Sequence, residues 1–98
     1  MTRLLLIDDE PDILRVLSRS LRADGHDVST ALNGAEGLAA FERTPAGIVI
    51  TDIKMPGMNG LEVLKEIKAR EPEAEVIIIT GHGDIHSAIE ALHFGASD

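Results

Sequence analysis

The chain has 98 residues, a formal charge of −8 and no cysteine, so it can hold one domain at most and has neither a disulfide framework nor a thiolate metal site. The negative charge argues against direct binding of a nucleic acid backbone or an anionic membrane surface by this segment, and two Phe with no Trp or Tyr leave no stacking platform for single-stranded nucleic acid. Hydrophobic residues at 44% and charged residues at 27% suit a folded chain with a Leu, Ile, Val and Ala core, whose acidic surface favours a cation.

The opening MTRLLLIDDE carries an apolar run of four residues before three acids, too short for a signal peptide or a membrane span, so a cytoplasmic protein is expected. The run itself, residues 4–7, reads as a buried strand. Pro11 suits the first turn of a helix whose apolar face is Ile13, Leu14, Leu17 and Leu21, and Gly25 ends that helix. DVSTA, Asp27–Ala31, reads as a more polar strand fit for a sheet edge. Asn33-Gly34 then leads into a short helix with Leu38, Ala39 and Phe41, and Thr44-Pro45-Ala46-Gly47 makes the next turn.

Ile48–Asp52 is a third strand ending in a carboxylate. After its loop, Asn59 caps a helix with Glu62 at N3, and Val63, Leu64 and Ile67 form the buried face. Pro72 marks the end of that helix. Residues 76–80 are a fourth, β-branched strand, and Ile85, Ala88, Ile89 and Leu92 define a fourth helix closed near Gly95. Strands alternating with helices imply a doubly wound α/β fold, with a parallel sheet covered on both faces by right-handed crossovers. The ligand crevice of such a sheet lies beyond the carboxyl ends of its strands.

Asp8-Asp9 follow strand one, Asp52 ends strand three and Thr80-Gly81 end strand four, all at that rim. One acid after a strand is ordinarily a cap or a solvated turn residue. Three acids on two strands of one sheet ask for more, because carboxylates about 4 Å apart repel by roughly 4 kcal/mol at an effective dielectric near 20. A hard divalent cation relieves that cost, and Mg2+ takes one or two carboxylates together with waters and phosphate oxygens. A carboxylate can itself attack a phosphoryl donor when the transferring oxygens are neutralised. Asp52, alone at the end of a central strand, is the expected nucleophile. Asp8 and Asp9 are the expected metal ligands, the Thr80 hydroxyl a hydrogen-bond donor to the phosphoryl group, and Lys54 a contributor through its backbone carbonyl.

Asp-Asp after strand one, DIKMPGMNG after strand three, Thr-Gly after strand four and the closing Gly-Ala-Ser-Asp together resemble the receiver domain of two-component response regulators. The resemblance spans nearly the whole chain. It implies a flavodoxin-like sheet of order 2-1-3-4-5 and phosphorylation of Asp52 by a partner sensor histidine kinase. It also implies Mg2+ held by Asp9, Asp52 and the Lys54 carbonyl, with Asp8 acting through water, and a conformational switch through Thr80 and helix four. TGHGDIHSAIEALHFGASD looks most like receivers of transcription activators, any DNA contact then lying beyond residue 98. Receivers continue into a fifth strand ending in Lys-Pro and a fifth helix, so residues 1–98 are expected to be a receiver lacking those two elements. Strand four would then be an apolar edge that either further residues complete or a second copy pairs with, making a homodimer through strand four or helix four.

His82 and His86 have the spacing of a zinc helix, but His82 lies in the Gly-His-Gly loop and no third ligand is evident, so exposed polar roles suit them better. Met55 and Met58 are expected to pack the loop onto the rim. Gly81 and Gly83 serve as hinges or plain turns. Arg15, Arg19 and Arg22 form a solvated face near the kinase-docking surface that the family suggests. Two other readings stand beside the phosphoacceptor. One is a receiver-like interaction module that does not use phosphate. The other is a small Mg2+-dependent aspartyl-phosphate phosphatase, which would ordinarily carry an acid where this chain has Lys54.

Overall fold

Short apolar strands cannot satisfy their backbone groups alone, and here they do so side by side. The computed structural model describes residues 3–79, in the order β1 (Arg3–Ile7), α1 (Pro11–Ala23), β2 (Asp27–Ala31), α2 (Gly34–Arg43), β3 (Ile48–Asp52), α3 (Gly60–Arg70) and β4 (Glu75–Ile79). The four strands form one parallel sheet in the order β2-β1-β3-β4. This is the expected arrangement, with the polar strand β2 at an edge. The fourth helix, Thr80, the glycines at 81 and 83, and His82 and His86 lie outside the described residues.

Strand alternation divides the apolar residues between two faces. Leu4 and Leu6 of β1, with Val28, pack against Leu14 of α1, while Leu17 and Leu21 are partly buried beside them. On the opposite face Leu5, Ile7, Val49, Val76 and Ile78 meet Leu38 and Phe41 of α2 and Val63, Leu64 and Ile67 of α3. This second cluster is the larger, and the three α3 residues in it are fully enclosed. Burying each such side chain contributes about 1.5–3 kcal/mol, so α3 is held chiefly by its inner face.

Two expectations about helix faces need correction. Ile13 is 38% exposed, because α1 turns Leu14 and Leu17 to the sheet and leaves Ile13 with Val16 along an open groove that Ile79 also lines. Ala39 is likewise exposed, the α2 face being Leu38 and Phe41.

The helix ends follow the chemistry of their residues. Pro11 occupies the first turn of α1. Gly25, at φ +91°, terminates α1: its N–H donates to the Arg22 carbonyl and that of His26 to the Leu21 carbonyl, a left-handed C-terminal turn suited to glycine. Asn33 caps α2 by accepting the Glu36 N–H at 2.8 Å. Asn59 and Glu62 form the expected reciprocal capping box on α3. Beyond α3, the Lys68 ammonium donates to the carbonyls of Pro72 and Ala74 and fastens the turn into β4. Arg70 bridges Glu66 of α3 and Glu42 of α2 on the surface. Among the described residues no helix is long and apolar enough to cross a membrane.

Candidate metal and phosphoacceptor site

The sheet register brings the acids together. Ile7 of β1 lies opposite Thr51 of β3, so Asp8 and Asp52, one residue further along each strand, leave the same rim side by side. The Asp8 N–H donates to the Ala31 carbonyl at 3.1 Å and carries the ladder one step beyond β1. The chain then turns sharply. Asp8 Oδ1 accepts the Glu10 N–H at 2.9 Å, which ties the carboxylate to the loop leading into α1.

Asp8, Asp9 and Asp52 each offer a carboxylate oxygen, and the three oxygens lie within 4.8 Å of one another. Asp8 is buried at 5% exposure, Asp52 is half-buried and Asp9 is exposed. Burial pushes the Asp8 carboxyl above its ordinary value of 3.8, the neighbouring Asp52, Asp9 and Glu10 carboxylates push it the same way, and the Glu10 N–H opposes them. Three convergent carboxylates, one of them desolvated, make a donor set of hard oxygens that fits a divalent cation.

The β3–α3 loop sets the position of Asp52. Ile53 and Met55 turn inward and are buried, Lys54 is exposed, and Gly57 takes φ +77° as the chain reverses. Gly60, the first residue of α3, donates its N–H to the Ile53 carbonyl at 2.9 Å. A Cβ at residue 60 would collide with the Asp52 carbonyl oxygen and stand 2.9 Å from Ile53 Cα, so the close passage of the helix over the end of β3 requires glycine there. Met58 packs against the larger core as expected, and Met55 is part of it.

Beside the acids lies an open groove of about 660 Å³ whose lining joins the apolar side chains of Ile13, Val16, Leu17 and Ile79 to the acids Asp8, Glu10, Asp12 and Asp52. The structure thus gathers Asp8, Asp9 and Asp52, and puts Lys54 two residues past Asp52 with its side chain in solvent. Arg15, Arg19 and Arg22 are exposed on α1, Arg15 pairing with Asp12 and Arg22 donating to the Val28 carbonyl. Two residues at the site were passed over in the sequence. Thr51 is fully buried, with its hydroxyl on the Asp52 carbonyl, and Gly60 presses on that same carbonyl. A lone polar residue inside an apolar run was the available sign of the first.

Comparison with known proteins agrees with this geometry. The family described as the response regulator receiver domain matches residues 4–98. The C4-dicarboxylate transport transcriptional regulatory protein DctD of Rhizobium meliloti (strain 1021) is 43% identical over 93 residues, which are 95% of this chain and 20% of that protein. The DNA-binding transcriptional regulator NtrC of Escherichia coli (strain K12) is also 43% identical over 93 residues, which are 95% of this chain and 20% of that protein. The chain therefore spans about a fifth of the length of these curated relatives. The crystal structure of a response regulator receiver domain protein from Clostridium thermocellum superposes with a TM-score of 0.93 at 44% identity, covering 98% of this chain and 78% of that one. The chemotaxis protein CheY4 of Vibrio cholerae superposes at 0.91 with 28% identity, covering 98% and 82%, and shares the flavodoxin-like order of strands. With its parallel sheet, its acidic rim and these likenesses, the chain belongs to the response regulator receiver domain family, the phosphoacceptor domains of two-component signalling.

Proposed function

We propose that Asp52 is the phosphoacceptor of this receiver and that a partner sensor histidine kinase supplies the phosphoryl group. The observation that carries this reading is the convergence of Asp8, Asp9 and Asp52 within 4.8 Å, with Asp8 and Asp52 lining an open groove. In the transfer, an Asp52 carboxylate oxygen attacks phosphorus as the P–N bond of the donor phosphohistidine breaks. The electron pair returns to the imidazole, and Asp52 carries an acyl phosphate.

In this scheme Asp9, Asp52 and the Lys54 backbone carbonyl would hold Mg2+, and Asp8 would act through water. When bound, the ion neutralises the phosphoryl oxygens and the carboxylates together. Asp8, tied to the Glu10 N–H through its Oδ1, is held beside Asp9 and Asp52 at that position. Thr80 follows Ile79, the register partner of Asp52, and donates its hydroxyl to the phosphoryl group. Loss or gain of that bond shifts Thr80 and helix four between two packings. Residues 1–98 belong to one receiver unit that lacks the fifth strand and helix of the family. The transcriptional regulators among the relatives support an output in transcription, carried by a longer protein. Among the described residues β4 is an outer strand with Ile79 37% exposed, an edge suited either to completion by further residues or to pairing with a second copy.

The test is incubation with Mg2+ and acetyl phosphate, on the 98-residue chain and on the full-length gene product. The expected result is a single phosphoryl mass gain mapped to Asp52, absent in Asp52→Asn and in EDTA. No gain in either protein overturns the phosphoacceptor reading in favour of an interaction module that does not use phosphate. Rapid multiple turnover of varied phosphate esters favours the phosphatase, a reading weakened by Lys54 standing where a second acid would be needed.

A further inference from the structure

Thr51 is fully buried on the side of the sheet that faces α2 and α3. Its register neighbours are Ile7 and Ile78, both members of the larger apolar cluster, and the other buried polar side chains among the described residues, Asp8 and Ser18, lie toward α1. A valine would fill the same outline in such a position without burying a hydroxyl. The hydroxyl has a partner that packing does not require: it donates to the backbone carbonyl oxygen of Asp52 at 3.0 Å.

That carbonyl belongs to a peptide held at further points. The Ile53 N–H donates to the Ile79 carbonyl at 3.3 Å, the Ile53 carbonyl accepts the Gly60 N–H at 2.9 Å, and Gly60 leaves no room for the Asp52 carbonyl to swing toward α3. An aspartate side chain has only two rotatable bonds, so its carboxylate inherits its aim from its own backbone. Fixing the Asp52 peptide therefore fixes the direction from which the carboxylate meets cation and phosphorus, and small errors in such aim are costly in rate.

We propose that Thr51 is a positioning residue for Asp52, its hydroxyl orienting the peptide and through it the reacting carboxylate. This inference rests on the phosphoacceptor reading of Asp52. Its test compares wild type, Thr51→Val and Thr51→Ser in the full-length gene product. The rate of acetyl phosphate-driven modification is measured at saturating Mg2+, and thermal unfolding is measured in EDTA. Loss of one oriented hydrogen bond predicts a rate lower by about threefold to tenfold in Thr51→Val, while Thr51→Ser, which keeps the hydroxyl, stays within about twofold of wild type. The order of Tm is expected to run the other way, with Thr51→Val at or above wild type and Thr51→Ser below it, because serine gives up a buried methyl group. That crossing of the two orders is what a role in packing alone does not produce. A wild-type rate in Thr51→Val, rates that follow the Tm order, or a Thr51→Val protein less stable than Thr51→Ser each overturn the proposal while leaving Asp52 as phosphoacceptor. Absence of modification in wild type refutes the reading of Asp52, and this inference with it.

Discussion

Asp8 is 5% exposed and faces the carboxylates of Asp52, Asp9 and Glu10, so without a cation its ionisation raises the free energy of the folded chain, whereas in the unfolded chain it ionises freely. A carboxyl whose folded pKa is raised binds its proton more tightly folded than unfolded. Its contribution to stability is present at low pH and is lost as pH rises from the ordinary value of 3.8 through the folded value. Asp8→Asn keeps an oxygen for the Glu10 N–H and removes the charge. In EDTA at neutral pH we expect it to be more stable than wild type, because it removes the cost of a buried charge and, with it, the repulsion from the neighbouring carboxylates. The gap should close as the pH falls toward 3.8, as thermal unfolding across that range would show. A wild type as stable as Asp8→Asn at neutral pH would mean that the cluster is not strained.

The elements that carry the site are short, and their ends matter more than their middles. α3 starts against the backbone of Asp52, with Asn59 capping the helix and Gly60 pressed onto the Asp52 carbonyl. Asn59→Ala removes one half of the capping box and should cost about 1 kcal/mol, read by denaturant unfolding, while modification of Asp52 proceeds nearly as in wild type. Gly60→Ala should cost about 1–3 kcal/mol by overpacking and also weaken Mg2+ binding, because the atom displaced belongs to Asp52. Isothermal titration with Mg2+ distinguishes the two variants. If Gly60→Ala binds the ion as wild type does, the contact positions the helix and not the carboxylate. The two substitutions fall on adjacent residues, so a difference between them isolates the passage over β3 from the general stability of α3.

At the scale of the molecule, a sheet with apolar clusters on both faces supports a rim whose charges oppose its stability. A cation that binds only the folded chain adds RT ln(1 + [L]/Kd), about 2.7 kcal/mol at a hundredfold excess over Kd, and each kcal/mol moves the Tm of a domain this size by about 4–8 °C. Mg2+ should therefore raise the Tm of the 98-residue chain well beyond the effect of NaCl at equal ionic strength. Asp9→Asn or Asp52→Asn should abolish the excess. An equal response to both salts would reduce the effect to screening of a chain with net charge −8.

The alternation of apolar runs with helical periods was legible along the chain, and the Asn59 cap and the Gly25 stop follow from local chemistry that each segment carries with it, whereas the strand order was implied by the family resemblance and the Asn33 cap was read only as a turn. The acids were legible as candidates because Asp8, Asp9 and Asp52 follow strands that a parallel sheet must send to one rim. The exposure of Ile13 was not legible, since a helical period specifies a face only to within about one residue and docking on β1 and β2 selects Leu14 and Leu17 instead. Nor were the burial of Asp8 or the pinning of the Asp52 carbonyl between Thr51 and Gly60. Those depend on distances between residues far apart in the chain, which only the register of β1 on β3 and the passage of α3 over the sheet edge decide. The sequence by itself determined which residue types reach the rim and which elements carry them. Tertiary structure alone decided how close their charged atoms come and how firmly each is held, because electrostatic repulsion and hydrogen bonding depend on separations that chain order does not contain.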